Sequence, residues 1–172
     1  SVATIFGMFI IGLDQGMQPI AGYNYGAQNI DRLMRVLNLA IIAATCIMTI
    51  GWIIGEFFPQ QIARLFTTDE KLTAMSITAT RFNMLAFPII GFQMVVTNFF
   101  QCIGKVKISI FLSLSRQLLI LVPLLAILPY FFQINGVWYA LPISDATASI
   151  IAFTIMTVFI KRFKKRITTS TP

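Results

Sequence analysis

The chain has 172 residues, 57% of them hydrophobic and 11% charged, with a formal net charge of +7. A soluble domain carries about 25% charged residues, so this composition excludes a globule with a polar coat. The positive charge does not read as nucleic-acid binding, because five of the thirteen basic residues (Lys161, Arg162, Lys164, Lys165, Arg166) fall in one tail behind an apolar run.

The apolar residues predict an all-α, polytopic membrane bundle of five transmembrane helices. The spans fall at about 2–27, 36–54, 72–103 (apolar from 82), 108–130 and 136–160, with a basic tail over 161–172. Each reaches the roughly 20 helical residues that cross about 30 Å of hydrocarbon. Barrel strands alternate with period two, and Leu118 to Ile127 does not.

The first span is the most polar, with Asp14, Gln15, Gln18 and Asn24 where lipid would favour none of them. Gln15, Gln18, Gly22 and Tyr25 follow helical spacing, Pro19 is expected to bend the helix, and the pairs Gly12/Gly16 and Gly22/Gly26 are spaced for close helix approach. The second span is uncharged. Between spans two and three, 60–66 suits a short amphipathic piece, and Thr68 or Asp69 an N-cap. The third span offers Gln93, Thr97 and Gln101 four residues apart, together with Asn83 and Asn98, and no acid. Met17, Met94, Phe87, Phe99 and Phe100 suit either core packing or a greasy cavity. The fourth span carries Arg116 and the fifth Asp145. Counted inward from opposite faces, their levels differ by about 6 Å, within reach of an arginine side chain. The pair reads as a structural ion pair or as a gate or coupling element.

Loop charges orient the bundle. Arg32, Arg35, Lys105, Lys107 and the tail put nine basic residues on one side, against Arg64, Lys71 and Arg81 on the other. The first side is therefore expected in the cytoplasm, C-terminus included. The sequence opens at Ser1 inside an apolar stretch and reads as part of a longer protein. Cys46 and Cys102 have no metal or disulfide spacing, and no histidine is present, so neither an enzyme nor a metal site is expected.

The stretch Gln15-Gly16-Met17-Gln18-Pro19-Ile20-Ala21-Gly22-Tyr23-Asn24-Tyr25-Gly26-Ala27, with Arg32 following, resembles the eighth helix of MATE (multidrug and toxic compound extrusion) transporters, in the MepA-like bacterial branch. Ser115-Arg116-Gln117 with Pro123, then Gly136-Val137-Trp138 with Pro142 and Asp145, resembles that family's last two helices. The resemblance implies the last five of twelve helices, most of a C-terminal lobe whose N-terminal partner lobe is missing. It implies a secondary antiporter in a bacterial cytoplasmic (inner) membrane, exporting cationic or amphipathic drugs in exchange for H⁺ or Na⁺, with no cofactor. Membrane lipids, small-molecule drugs and the missing lobe are the expected partners. The cavity residues it suggests are Gln15, Gln18, Tyr23, Asn24 and Asn98; the ion or coupling residues are Asp14, Arg116 and Asp145. Asp14 stands where the family usually has an uncharged polar residue, and reads either as an additional proton or cation site or as a neutral, hydrogen-bonded carboxyl. Two rivals remain: a lipid-linked oligosaccharide flippase of the same broad fold class, disfavoured because Arg116 is the only deep cation, and a non-transporting structural membrane protein, disfavoured by the polar first span.

Overall fold

A computed structural model describes residues 2–59, 61, 77, 81–82, 84–132 and 134–170, and all the regular structure among them is helical. In chain order these are α1 (Val2–Gly26), α2 (Ile30–Phe57), α3 (Phe87–Cys102), α4 (Val106–Leu114), a π-helical stretch (Ser115–Leu121), α5 (Val122–Phe132) and α6 (Ile134–Ser170). The amphipathic piece at 60–66, the N-cap at Thr68 or Asp69, and Arg64, Lys71 and Asn83 lie outside the described residues.

Two reversals are built alike. After α1, Gln28 adopts a left-handed φ of +55°, Asn29 N–H bonds the Asn24 carbonyl (2.9 Å) and Gln28 N–H bonds that of Tyr25 (3.1 Å). After α3, Gly104 takes φ +75°, Lys105 N–H bonds the Phe100 carbonyl (2.8 Å) and Gly104 N–H that of Gln101 (3.1 Å). These are Schellman closures, which satisfy carbonyls that a helix end leaves unpaired. Asn29 then caps α2, its side chain accepting Arg32 N–H at 3.2 Å.

The widened turns at Ser115–Leu121 have a local cause. Pro123 has no N–H, and its ring would clash with the carbonyl four residues back, at Leu119. Opening the helix to π spacing just before the proline relieves that clash, and α4, the π stretch and α5 still run on as one apolar span, Val106–Phe131.

The centre of the bundle is α3, which packs against α1, α2, α4 and α6. Val95, Val96, Phe99 and Phe100 on it are fully buried. One stripe of α2 (Leu33, Leu37, Ala40, Ala44, Met48) faces α1 and α3. α2 and α3 approach closely at Gly91, where an added Cβ would sit 3.0 Å from the Ala44 carbonyl oxygen. Met17, Phe87, Phe99 and Phe100 all belong to this core.

Outside, the polarity is inverted: Phe9, Ile42, Phe57, Leu119, Ile150 and Phe153 are each more than half exposed. Contiguous exposed apolar surface of this kind is stable against lipid, not water. Ile30–Phe57, Val106–Phe131 and Tyr139–Arg166 are long and apolar enough to cross a membrane, and Phe87–Cys102 is a shorter apolar helix. With 25 residues α1 has the length, but Asp14, Gln15 and Gln18 dilute its apolar character.

The basic tail continues α6 as helix to Ser170. One detail departs from the sequence reading. Of the four glycines expected at close helix contacts, only Gly22 approaches another helix, an added Cβ lying 3.4 Å from the Cys102 carbonyl oxygen; at Gly12, Gly16 and Gly26 it would meet nothing within 4 Å.

Candidate functional site

The polar residues of α1, α3 and the π stretch line two cavities that share one residue, Asn98. The first, about 210 Å³, is walled by Asp14, Gln15 and Gln18 of α1 and by Asn98, Gln101 and Cys102 of α3, with Ile11 at one side. The second, also about 210 Å³, is walled by Gln93, Met94, Thr97 and Asn98 of α3 and by Ser113, Arg116 and Gln117.

Helical spacing explains the first wall. Ile11, Gln15 and Gln18 recur at four and three residues and share a face. Asp14 lies at the border between that face and the buried stripe of Ile10, Met17 and Ala21, and is itself 6% exposed. Asn98 Nδ2 donates to Asp14 Oδ2. The other carboxyl oxygen, Oδ1, is buried and finds no hydrogen-bond partner among the described residues. An unmatched carboxyl oxygen costs free energy, and here it lies on a residue that walls a cavity.

Around the second cavity, Arg116 Nε donates to Asp145 Oδ1 at 2.6 Å, the side chains being 33% and 8% exposed. Ser144 Oγ donates to the Arg116 carbonyl at 3.0 Å, and Ser149 Oγ to the Asp145 carbonyl at 2.7 Å. Together the bonds from Asp145 and Ser144 to Arg116 tie the π stretch to α6. Gln93 Oε1 and Ser115 Oγ are buried with no partner among the described residues, while Thr97 Oγ1 bonds the Gln93 carbonyl at 2.8 Å.

Not every residue singled out in the sequence joins these cavities. Tyr23 follows Gln18 by five residues, about 140° round the helix, and is 75% exposed on another face. Asn24 is buried, and its Nδ2 donates to the Ile20 carbonyl of its own helix at 2.8 Å. Three residues not singled out as cavity residues, Gln101, Cys102 and Ile11, line the first cavity; for Gln101 the signal was present, since it follows Asn98 by three residues on one helix face. No group of three or more His, Cys, Asp or Glu able to hold a metal occurs among the described residues.

Comparison with known proteins adds three findings. The MatE family model matches residues 1–127. The multidrug export protein MepA of Staphylococcus aureus (strain bovine RF122 / ET3-1) is 24% identical over 163 residues, covering 95% of this chain and 35% of MepA. Among solved structures, the MATE multidrug transporter DinF-BH is 35% identical with a TM-score of 0.84, covering 91% of this chain and 35% of that one. A multidrug resistance MATE family transporter in its inward-facing conformation is 25% identical with a TM-score of 0.88, over 95% of this chain and 38% of the other. The outward-facing conformation gives 25% and 0.87, over 95% and 37%. The chain thus spans about a third of the length of the proteins it matches.

Proposed function

The chain belongs to the MatE family, whose named members here are multidrug exporters and not enzymes, and on that premise we propose that it forms most of the C-terminal lobe of a secondary antiporter exporting cationic or amphipathic drugs in exchange for H⁺ or Na⁺. The observation that carries this is the cavity around Asp14 and Asn98, the one of the two polar cavities that an acidic residue lines. Intramembrane carboxyls are expensive and mark ion or substrate paths. In this reading Asp14 is the proton or cation site. Its unpaired Oδ1 accepts the ion, and Asn98 holds Oδ2 in place. Gln15, Gln18 and Asn98 contact the drug. The Arg116–Asp145 pair is a strut that keeps the π stretch on α6.

Alternating access supplies the mechanism: two lobes rock about a shared cavity, and occupation of the carboxyl changes which facing state is more stable. Near-equal likeness to inward- and outward-facing structures supports a lobe that moves as one body. The basic ends then lie in the cytoplasm, as loop charge argues, with the N-terminal lobe as partner and lipid around both.

The test is transport by the complete protein reconstituted in proteoliposomes, read with a fluorescent lipophilic cation. Dye movement driven by an imposed proton or sodium gradient, and lost in Asp14→Asn, is the expected result. Dye movement under neither gradient would sink the antiport reading; gradient-driven transport unaffected by Asp14→Asn would remove Asp14 from the coupling role.

A further inference from the structure

A cavity larger than the two that share Asn98 lies away from Asp14, at the basic end of the bundle. It measures about 350 Å³ and is lined by Lys105 from the α3–α4 turn, Arg162 and Arg166 from α6, and the rings of Tyr25, Phe159 and Phe163. We propose that this pocket binds the headgroup of an anionic phospholipid, with an acyl chain lying along α6 past Val158.

Three features converge on that ligand. The first is charge. Lys105 stands more than fifty residues from Arg162 and Arg166 in sequence, yet all three line one cavity, and among the described residues none of them is ion-paired. Arginine presents a planar fork of donors that fits phosphate oxygens, and basic pockets between membrane helices suit anionic headgroups.

The second is rigidity. Arg162 and Arg166 are held in register because α6 stays helical to Ser170. Beneath them Tyr25 stacks on Phe163 with centroids 5.0 Å apart, Phe163 lies 5.7 Å from Phe159 at an interplanar angle of 12°, and Phe159 meets Phe100 of the core edge-on at 5.2 Å. The floor of the pocket is therefore fixed to the centre of the bundle, and binding need not order it.

The third is polarity along the pocket. Its α6 wall runs from Thr154 to Arg166, about 18 Å at 1.5 Å per residue. The headgroup layer on one side of a bilayer is only about 5–8 Å thick. The cavity thus extends from headgroup level into hydrocarbon, where Ile155 and the 43%-exposed Val158 replace the cations. A free phosphate has no use for that apolar end; a diacyl phospholipid does.

This inference rests on the chain being membrane-spanning and not on what it transports or which face is cytoplasmic. The measurement uses the complete transporter, purified in detergent and stripped of lipid, then titrated with dioleoyl phosphatidylglycerol or phosphatidylcholine, bound lipid being counted by native mass spectrometry. Leaflet and transport do not enter that readout, so a failure here is separate from a failure of the antiport reading. Phosphatidylglycerol should bind in preference to phosphatidylcholine. The double variant R162Q/R166Q should weaken it about 25-fold, at about fivefold per cation, while K107Q/K161Q, a charge-matched change outside the pocket, leaves it unchanged. Millimolar inorganic phosphate should not displace it. Undiminished binding in R162Q/R166Q, equal weakening in K107Q/K161Q, or displacement by phosphate would each overturn the proposal, the last in favour of a soluble anion.

Discussion

Replacing Arg116 by glutamine strands Asp145, which is 8% exposed and whose Oδ1 loses its 2.6 Å partner. Removing one member of a buried pair costs about 3–5 kcal/mol, because the charge left behind is uncompensated. The lower end applies, since the Arg116 side chain is 33% exposed and part of its interaction is already screened. Asp145→Asn is milder, about 1 kcal/mol: the amide oxygen still accepts from Nε, and the partly exposed arginine can turn toward polar surroundings. In R116Q/D145N no charge is stranded, so the double variant should be more stable than R116Q alone. That implies a coupling of about 2 kcal/mol between positions in direct contact. Thermal or denaturant unfolding of the complete protein in detergent measures all three variants. An R116Q no worse than D145N, or a double variant whose cost is the sum of the two, would refute the strut. The exchanged pair, R116D/D145R, is a further check: stability no better than the worse single change leaves direct pairing without support.

The remaining expectations concern the cavities and the backbone. Asn98→Leu removes the donor to Asp14 Oδ2 and an amide from both cavities, so gradient-driven dye efflux should fall about tenfold or more, as for loss of a hydrogen bond to a charged group; wild-type efflux would take Asn98 out of the site. Gly91→Ala puts a Cβ 3.0 Å from the Ala44 carbonyl oxygen and the Met48 side chain, and should cost about 1–3 kcal/mol of unfolding stability by overpacking. Gly12→Ala, with nothing within 4 Å, should not; equal effects would mean that α2 and α3 are not in close contact. Gln28→Gly relieves a left-handed non-glycine residue and should raise stability by about 0.5–1 kcal/mol after the entropy cost of glycine, read in the same assay.

The bundle was legible because its cause is compositional: runs such as Leu118 to Ile127 have one stable use, a helix in lipid. The polar face of α1 was legible because helical spacing alone sets Gln15 and Gln18 together. What the sequence hid depends on contacts. Gln28 carries no mark of a left-handed residue, unlike Gly104, which does the same task openly. The same helical spacing that gathers the glutamines carries Tyr23 round to another face, and the family resemblance at Tyr23 and Asn24 could not show that the asparagine bonds its own helix. Asn98 could be picked out as polar, but its place between two cavities follows from α1 and the π stretch meeting α3 at that level. The basic tail was legible from its charge as the flank of a membrane helix, but only the unbroken helix shows that two of its arginines share a pocket.

The two ends of α1 are held unequally, and this decides where it can move. α3 is packed on four sides and is the fixed member. Beyond Pro19, α1 comes close to its backbone, Gly22 lying against the Cys102 carbonyl. Tyr25 is further pinned by Phe163 at 5.0 Å. Before Pro19, α1 meets α3 across a polar cavity, through the bond from Asn98 to Asp14 and the edge contact of Phe6 with Phe87 at 6.4 Å, while Phe6 also packs on Gly51 of α2 and Ile10 is buried in the core. Proline removes the backbone bond that would stiffen the join between the two halves. On the role proposed for Asp14, a change in its occupancy is expected to shift the first half of α1 about Pro19, while the rest of the lobe, the second half of α1 included, moves as one body. In a Cys102→Ser background, a short bifunctional thiol reagent joining Ile11→Cys to Gln101→Cys spans the cavity and should stop dye transport reversibly. The same reagent joining Gly22→Cys to the native Cys102 should leave transport intact. Inhibition by the second crosslink and not the first would put the moving part beyond the proline and reverse the assignment.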